Sequence, residues 1–339
     1  MGVQSRTEIQ AILLRHYTQV NITLIDNLSD LLALTVRKPD MVFLGMKFIP
    51  SDPALGLSDS NKIWLSEYFE REGISYTGSE QDAIELELNK ELAKQRILDA
   101  GLTTARFMVI RAQDKVKRDD ISLQYPLFVK PTNRGGGKGI DVGSLVYDFE
   151  QLCVKVQSLG LKLGADSLVE EYLPGREFSV GILRQQHTKK YAVMAIELVA
   201  PPDKSGARYL SKKVKSADTE YNLAVTNTEL KAKVDALAIG AFHALGARDY
   251  GRIDIRLDAN GMPNFLEANL LPSLLEGYGN FPKTFLLNMQ LKHEDLITSI
   301  VTLAFSRKHL RQSTLTSTAL EQGTDMPVDF ASDLALDAI

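Results

Sequence analysis

The chain reads as an α/β protein of the α+β kind, and three stretches predict it. Residues 21–79 alternate strand and helix, a strand ending in Lys130 runs into a glycine-rich loop, and two apolar-alternating runs flank Asn260-Gly261. Short strands alternating with helices build a small parallel sheet, whose ligands sit at the loops leaving the strands' C-terminal ends.

With 339 residues the chain has room for two or three domains and a sizeable core. Charged residues at 24% and hydrophobic residues at 44% describe an ordinary soluble globular protein. A net charge of −4 gives no electrostatic case for a nucleic-acid partner. The single cysteine, Cys153, excludes an internal disulfide framework and fits a reducing compartment. No apolar run reaches the length of a membrane helix, and the first ten residues lack a signal-peptide core. Arg6 stands where N-myristoylation requires Ser or Thr. The expectation is a cytoplasmic protein with no membrane or nucleic-acid partner.

In chain order, residues 21–26 predict a strand, 28–37 a helix, and 41–45 a near-continuous apolar strand of the kind parallel sheets bury. A polar loop at 50–60 leads to a helix over 63–72 and a strand over 74–77. Ser79 is placed to cap the next helix, with Asp82 near a capping-box position. Lys90 and Lys94, four apart, then share a helix face, which alone is no more than two solvated lysines.

Residues 126–131 form a strand ending at Lys130, followed by TNRGGGKGI. Gly135, Gly136, Gly137 and Gly139 free the backbone to turn N–H groups towards anionic oxygens, with Lys130 as a point charge beside them. This is not a P-loop, because Gly139 follows Lys138, and Ile140 breaks the dinucleotide-binding spacing. Leu145, Phe149, Leu152, Val156 and Leu159 predict an amphipathic helix stopped by Gly160. Residues 167–183 give two strands around a Pro174-Gly175 turn, with Glu170, Glu171 and Glu177 gathered at the bend. Residues 191–198 are a strand, 201–222 a lysine-rich mobile loop, and 229–245 a periodic helix closed by Gly246. Beyond about residue 310 the pattern dissolves into a tail.

Asn260-Gly261 predicts a two-residue hairpin turn with positive φ at both positions. That register opposes Asp254 to Glu267 and Arg252 to Asn269, all on one face, while Ile253, Ile255, Leu266 and Ala268 face a core. Opposed like charges cost up to about 1 kcal/mol. Two carboxylates and an amide oxygen suit Mg²⁺, whereas a solvated face neutralised by Arg252 and Arg256 fits the hairpin alone equally well.

Four pieces in order, NKELAK, FVKPTNRGGGKG, VEEYLPGREFSVGIL and GRIDIRLDANGMPNFLEANLLP, resemble the ATP-grasp superfamily and its D-alanine–D-alanine ligase-like group. The resemblance implies ATP phosphates on Lys94 and Lys130 under a lid formed by Arg134, Gly135, Gly136, Gly137, Lys138 and Gly139. It implies an adenine hinge at Glu170, Glu171, Tyr172 and Leu173, with Glu177 on the ribose. It implies two Mg²⁺ ions, replaceable by Mn²⁺, on Asp254, Glu267 and Asn269. Lys215 looks like the loop lysine on the γ-phosphate, Arg252 like the oxyanion stabiliser, and Ser273, counted with the catalytic residues, departs from the family's glycine after the metal-site proline. The implied division is 1–79 as an N-terminal α/β domain, 80–173 and 174–310 as two ATP-clamping subdomains, and 311–339 as a mobile tail.

Such enzymes activate a carboxylate as an acylphosphate, which an amine then converts to an amide. Three departures stand out: MGVQSRTEIQAILLR lacks the family's Gly-rich first strand turn and glutamate, FLGMKFIPSDPALG lacks its histidine and acidic pair, and Ser216 replaces the tyrosine after the loop lysine. The ATP half is intact and the acceptor half rewritten. The expectation is a carboxylate–amine ligase for small amino-acid-like substrates. D-alanine–D-alanine ligation proper is the runner-up, and a non-catalytic ATP-binding regulator is the reading from another class. The group's homodimer, built through the N-terminal unit, is also implied, although that unit is altered here.

Overall fold

The computed structural model describes all residues except 57–58, 187, 189, 204–205, 218, 322–334 and 339, and only the backbone of 212, 215, 216, 308–321 and 335–338. The N-terminal elements are α1 (Val3–Leu13), β1 (Gln19–Ile22), α2 (Leu28–Val36), β2 (Met41–Phe43), β3 (Phe48–Ile49), β4 (Ile63–Trp64), α3 (Leu65–Arg71) and β5 (Ser75–Tyr76). Next come α4 (Gln81–Leu88), α5 (Lys90–Asp99), β6 (Phe107–Ile110), β7 (Leu127–Pro131), β8 (Leu145–Val146), α6 (Phe149–Leu163) and β9 (Ser167–Glu171). The remainder is β10 (Glu177–Arg184), β11 (Tyr191–Val199), α7 (Lys212–Ala217), β12 (Tyr221–Ala224), α8 (Thr228–Ala244), β13 (Tyr250–Leu257), β14 (Pro263–Asn269), α9 (Asn280–Met289), α10 (His293–Glu321) and β15 (Ala335–Ala338).

The parallel sheet expected at the N-terminus is present, in the order β1-β15-β2-β5. Its second position is filled from the far end of the chain: Gln19 pairs with Ala335 and Leu336 with Met41. The segment expected as a tail therefore contributes the end of α10 and a strand, with 322–334 outside the described residues. Helix α1 was not expected, although Ile9, Ile12 and Leu13 lie at helical spacing and are buried in one cluster with Leu296, Ile300 and Val301 of α10. Helix α2 begins where Asn27 and Asp30 cap each other's backbone N–H groups.

The middle sheet runs β6-β9-β7-β8 and the C-terminal sheet β12-β11-β10-β13-β14. Helix α8 covers the latter, burying Val234, Leu237, Ala241 and Phe242 against Ile253, Ile255 and Phe265. Pro174-Gly175 is not a hairpin turn, because β9 belongs to the middle sheet and β10 to the C-terminal one. The chain crosses here between the two sheets. A Cβ on Gly175 would lie 2.6 Å from the Leu257 carbonyl oxygen, so only glycine permits this approach.

Other local expectations change for identifiable reasons. Ser79 does not cap α4. Its hydroxyl accepts the Arg248 N–H, and Glu80 takes the N-cap position. Leu145 is in β8, since Asp148 starts α6 by accepting the Gln151 N–H. Gly160 lies inside α6 against the Ala112 carbonyl, and Gly164 ends the helix at φ +55°. The 201–222 stretch holds α7 and the start of β12.

Candidate active site

Strands β13 and β14 pair Asp254 with Glu267 and Arg252 with Asn269, as the sequence predicts. The turn that produces this register differs from expectation. Asp258 and Met262 close a three-residue loop in which Gly261 has φ +77° and Asn260 does not have positive φ. That loop shifts the pairing by one, to Leu257 opposite Pro263 and Ile255 opposite Phe265, and a bulge at Asp254/Ile255 shifts it back. Leu266 is the extra residue. It leaves the core to line the cleft, and Phe265 takes its buried place.

Asp254 is buried and receives four contacts. Arg252 donates from Nε to Oδ1 at 2.9 Å and from Nη2 to Oδ2 at 2.8 Å, Ser179 Oγ donates at 2.7 Å, and Asn269 Nδ2 at 3.3 Å. Burial works against the charge of Arg252, but Asp254 outweighs it and raises its pKa. Glu267 stands 3.6 Å from Lys90 Nζ. Two carboxylates and an amide oxygen on one face form an oxygen-donor set fit for Mg²⁺ or Mn²⁺. Nearby cations offset the like-charge opposition.

Asp254 and Glu267 line a cleft of about 650 Å³ together with Lys130, Glu170, Glu171, Tyr172, Leu173 and Glu177. One wall comes from the middle sheet and the other from the C-terminal sheet. At its base Glu170 bridges two lysines, with Oε1 2.5 Å from Lys94 Nζ and Oε2 2.6 Å from Lys130 Nζ. Burial opposes the charge of Glu170, but Lys130 and then Lys94 outweigh it and lower its pKa. Burial likewise opposes Lys130, where Glu170 outweighs it and raises the pKa. At Lys94 burial wins, bringing the pKa down to about 8.

Lys94, expected on the phosphates, has no exposed surface and donates to Thr104 Oγ1 at 2.5 Å behind Glu170. The lysine four residues earlier stands nearer both the lid and the metal face, since Lys90 Nζ also donates to the Arg134 carbonyl at 2.7 Å. Its position was legible in the i, i+4 pair but not which member faces the ligand. Asn89 breaks α4 from α5 and caps α5 through the Leu92 N–H, which starts that helix at Lys90. Lys90, Lys94 and Lys130 set three ammonium groups against the two carboxylates of Glu170 and Glu267.

The glycine loop turns tightly, with Lys138 N–H bonded to the Gly135 carbonyl and Ile140 N–H to that of Gly137. Gly136 and Gly137 have φ of +64° and +72°. Lys155, buried on α6, anchors the loop's far end by donating to the Gly139 carbonyl at 2.9 Å and to Asp141 at 2.8 Å. Arg134 anchors the near end, through Asn133 Oδ1 and the Leu163 carbonyl.

Lys215 falls on the backbone of α7, and its side chain lies outside the described residues, as does that of Ser216. Ser273 is exposed on the loop after β14 and does not line the cleft. Arg256 departs from the role of neutralising Asp254. It donates to Glu177 Oε2 and to Tyr172 Oη, each at 3.0 Å, and to the Arg208 carbonyl, so it fixes the hinge end of the cleft. Phe128, Tyr209 and Leu210 add an apolar wall that sequence reasoning missed. Burial, then Asp203, raises the Tyr209 pKa to about 12.

Solved structures share this fold. A D-alanine–D-alanine ligase from Bacillus anthracis aligns with a TM-score of 0.68 and 18% identity, over 91% of this chain and 97% of that one. The VanG D-Ala:D-Ser ligase from Enterococcus faecalis aligns at 0.59 and 20% identity, over 78% of this chain and 73% of that one. This likeness defines the class, an ATP-grasp fold. Residues 97–302 match the family described as D-ala D-ala ligase C-terminus, and the chain belongs to that D-alanine–D-alanine ligase family.

Among curated relatives, protein y4sG of Sinorhizobium fredii, described as uncharacterized, is 32% identical over 212 residues, 60% of this chain and 59% of its own length. The D-alanine–D-alanine ligase of Actinobacillus pleuropneumoniae is 32% identical over 217 residues, 63% of this chain and 67% of its own. The match thus spans about 59% to 67% of the length of these relatives.

Proposed function

We propose that the chain is an ATP-dependent carboxylate–amine ligase acting on small amino-acid-like substrates. The observation that carries this reading is the convergence of Asp254 and Glu267, from opposed strands, on one cleft with Lys130 and the 170–173 hinge. Lys130 and Lys90 hold the ATP phosphates beneath the 134–139 lid, with Lys94 setting the charge of Glu170 from behind. Glu170, Glu171, Tyr172 and Leu173 meet the adenine, and Glu177, steadied by Arg256, meets the ribose. Asp254, Glu267 and Asn269 hold two Mg²⁺ ions, for which Mn²⁺ substitutes, and these supply charge neutralisation at the transferring phosphoryl group.

An oxygen of the substrate carboxylate attacks the γ-phosphorus, breaking its bond to ADP and forming an acylphosphate. The amine nitrogen then attacks the acyl carbon and loses a proton, and phosphate departs with the bonding electrons. Arg252, beside the metal face, supplies positive charge for the tetrahedral oxyanion. The lid excludes water from the acylphosphate. The reading includes Lys215 on the γ-phosphate and Ser273 beside the acyl centre, the 1–79, 80–173 and 174–310 division, and a cytoplasmic homodimer. No described helix is long and apolar enough to cross a membrane.

A second reading, joining two D-alanines, is favoured by the names of the relatives. Against it, α1 stands where the family's first strand and glutamate are expected. Coupled ADP release across amino acids and small carboxylates tests both. Turnover with D-alanine alone supports the second reading, turnover only with another acid–amine pair supports the first, and tight ATP binding without turnover overturns both.

A further inference from the structure

His293, Glu8 and Glu276 bring one imidazole nitrogen and two carboxylate oxygens within 4.8 Å of one another, and none of the three lines the cleft. Three separate elements supply them: His293 opens α10, Glu8 lies on α1, and Glu276 lies on the loop after β14. The His293 side chain is 5% exposed. Its Nε2 lies 2.7 Å from the Leu274 carbonyl oxygen, and since a carbonyl can only accept, Nε2 carries the proton.

In the neutral ring Nδ1 is then a bare lone pair. It sits 3.0 Å from Glu8 Oε1 and 3.9 Å from Glu276 Oε2 and makes no hydrogen bond. A lone pair and two carboxylates aimed at one point repel each other, and a divalent cation among them reverses the sign. Anchoring the far nitrogen on a backbone carbonyl is how metal-ligating histidines are held in tautomer and orientation. Glu294, the next residue, belongs to a different pairing, with Arg15 at 2.8 Å and His16 at 2.7 Å.

We propose that Glu8, Glu276 and His293 form a second metal site, which takes Zn²⁺. One imidazole and two carboxylates suit zinc, unlike the all-oxygen face in the cleft. Tetrahedral bonds of about 2.0–2.1 Å place ligands about 3.4 Å apart, between the two distances to Nδ1. Glu276, 67% exposed, leaves the remaining position open to water. The ion clips α1 and α10 to the loop that carries Ser273.

The test is calorimetric titration of chelator-stripped full chain with zinc chloride, in excess Mg²⁺ and without nucleotide, so that the cleft's oxygen face is already supplied. The expected result is a single zinc equivalent that raises the thermal midpoint, with affinity at least about tenfold weaker in Glu8→Gln and in Glu276→Gln. The exposed Glu276 makes its variant safe for the fold. Absence of zinc binding in the wild type, or binding as tight as wild type in either variant, overturns the site. The readout is independent of ligase turnover.

Discussion

Glu170→Gln tests the charge arrangement at the base of the cleft. Glu170 is 3% exposed and bridges Lys94, with no exposed surface, and Lys130, 5% exposed. Glutamine keeps the shape and an acceptor oxygen but leaves two buried ammonium groups without their shared counter-charge. Removing one partner of a buried ion pair costs about 3–5 kcal/mol. Lys94, already down to about 8 with the carboxylate present, drops further and sheds its proton at neutral pH, which holds the cost near the low end. At about 2–4 °C per kcal/mol, a 3 kcal/mol loss lowers the thermal midpoint by about 6–12 °C. The sign of the pH dependence follows from the same residue. A lysine whose folded pKa lies below its unfolded value of 10.5 leaves the unfolded chain with more protons, so stability rises with pH between the two values. In the variant that window opens at lower pH, so the deficit against wild type shrinks as pH rises from 6 to about 8, and from there to pH 9.5 both proteins gain alike. Scanning calorimetry of both proteins over that range measures it. A variant within about 2 °C of wild type, or a deficit that widens as pH rises, refutes the reasoning.

Glu267→Ala should lower ADP release at least about a hundredfold while the thermal midpoint stays near wild type, because the side chain is 24% exposed. Lys90→Met should cost about a hundredfold in kcat/KM for ATP and Lys94→Met less than about tenfold, by steady-state kinetics. The opposite order returns Lys94 to the phosphates. Gly137→Val, at φ +72°, should raise KM for ATP and lower the thermal midpoint by about 2–8 °C, since a left-handed conformation costs a side chain about 1–2 kcal/mol. Arg252→Met should tighten Mg²⁺ binding, measured by titration with a non-hydrolysable nucleotide, and abolish turnover. Weaker Mg²⁺ binding in that variant contradicts competition between Arg252 and the metal for Asp254.

The acidic face was legible because strand periodicity is local and strict, and the Asp254–Glu267 register held although the turn differs from the expected one. A three-residue loop and a bulge at Asp254/Ile255 displace the pairing in opposite directions, so the error cancels at the carboxylates and survives only at Leu266. Nothing local distinguishes one extra residue in the loop from none, because Gly261 serves both turn types. Lys90 and Lys94 were legible as a face, but that Lys94 is the one held behind Glu170 depends on Thr104, which accepts from Lys94 and donates to the Phe265 carbonyl 161 residues away. Strand β15 was invisible for a different reason: its place between β1 and β2 depends on pairing across more than 290 positions, from Met41 to Leu336. Helix α1 carried a local signal in Ile9, Ile12 and Leu13, but the partner that buries this short apolar set, Leu296, Ile300 and Val301 of α10, lies at the other end of the chain.

The same long-range contacts decide which side of the cleft can move. At its base Thr103 Oγ1 donates to the Pro263 carbonyl at 2.7 Å, Phe265 N–H to the Thr103 carbonyl at 2.9 Å, and Thr104 Oγ1 to the Phe265 carbonyl at 2.7 Å. These bonds strap the middle sheet to the strand that carries Glu267, and Lys94 is tied to the strap through Thr104. Spacing between lysines and carboxylates is therefore fixed where the phosphates and metal must meet. Opposite the strap, Arg134 and Lys155 pin the two ends of the glycine loop. A Cβ added at Gly135 or Gly136 would meet nothing within 4 Å. In the proposed ligase, closure over a nucleotide falls to residues 135–138 between these two fixed ends, with the groups below them held still.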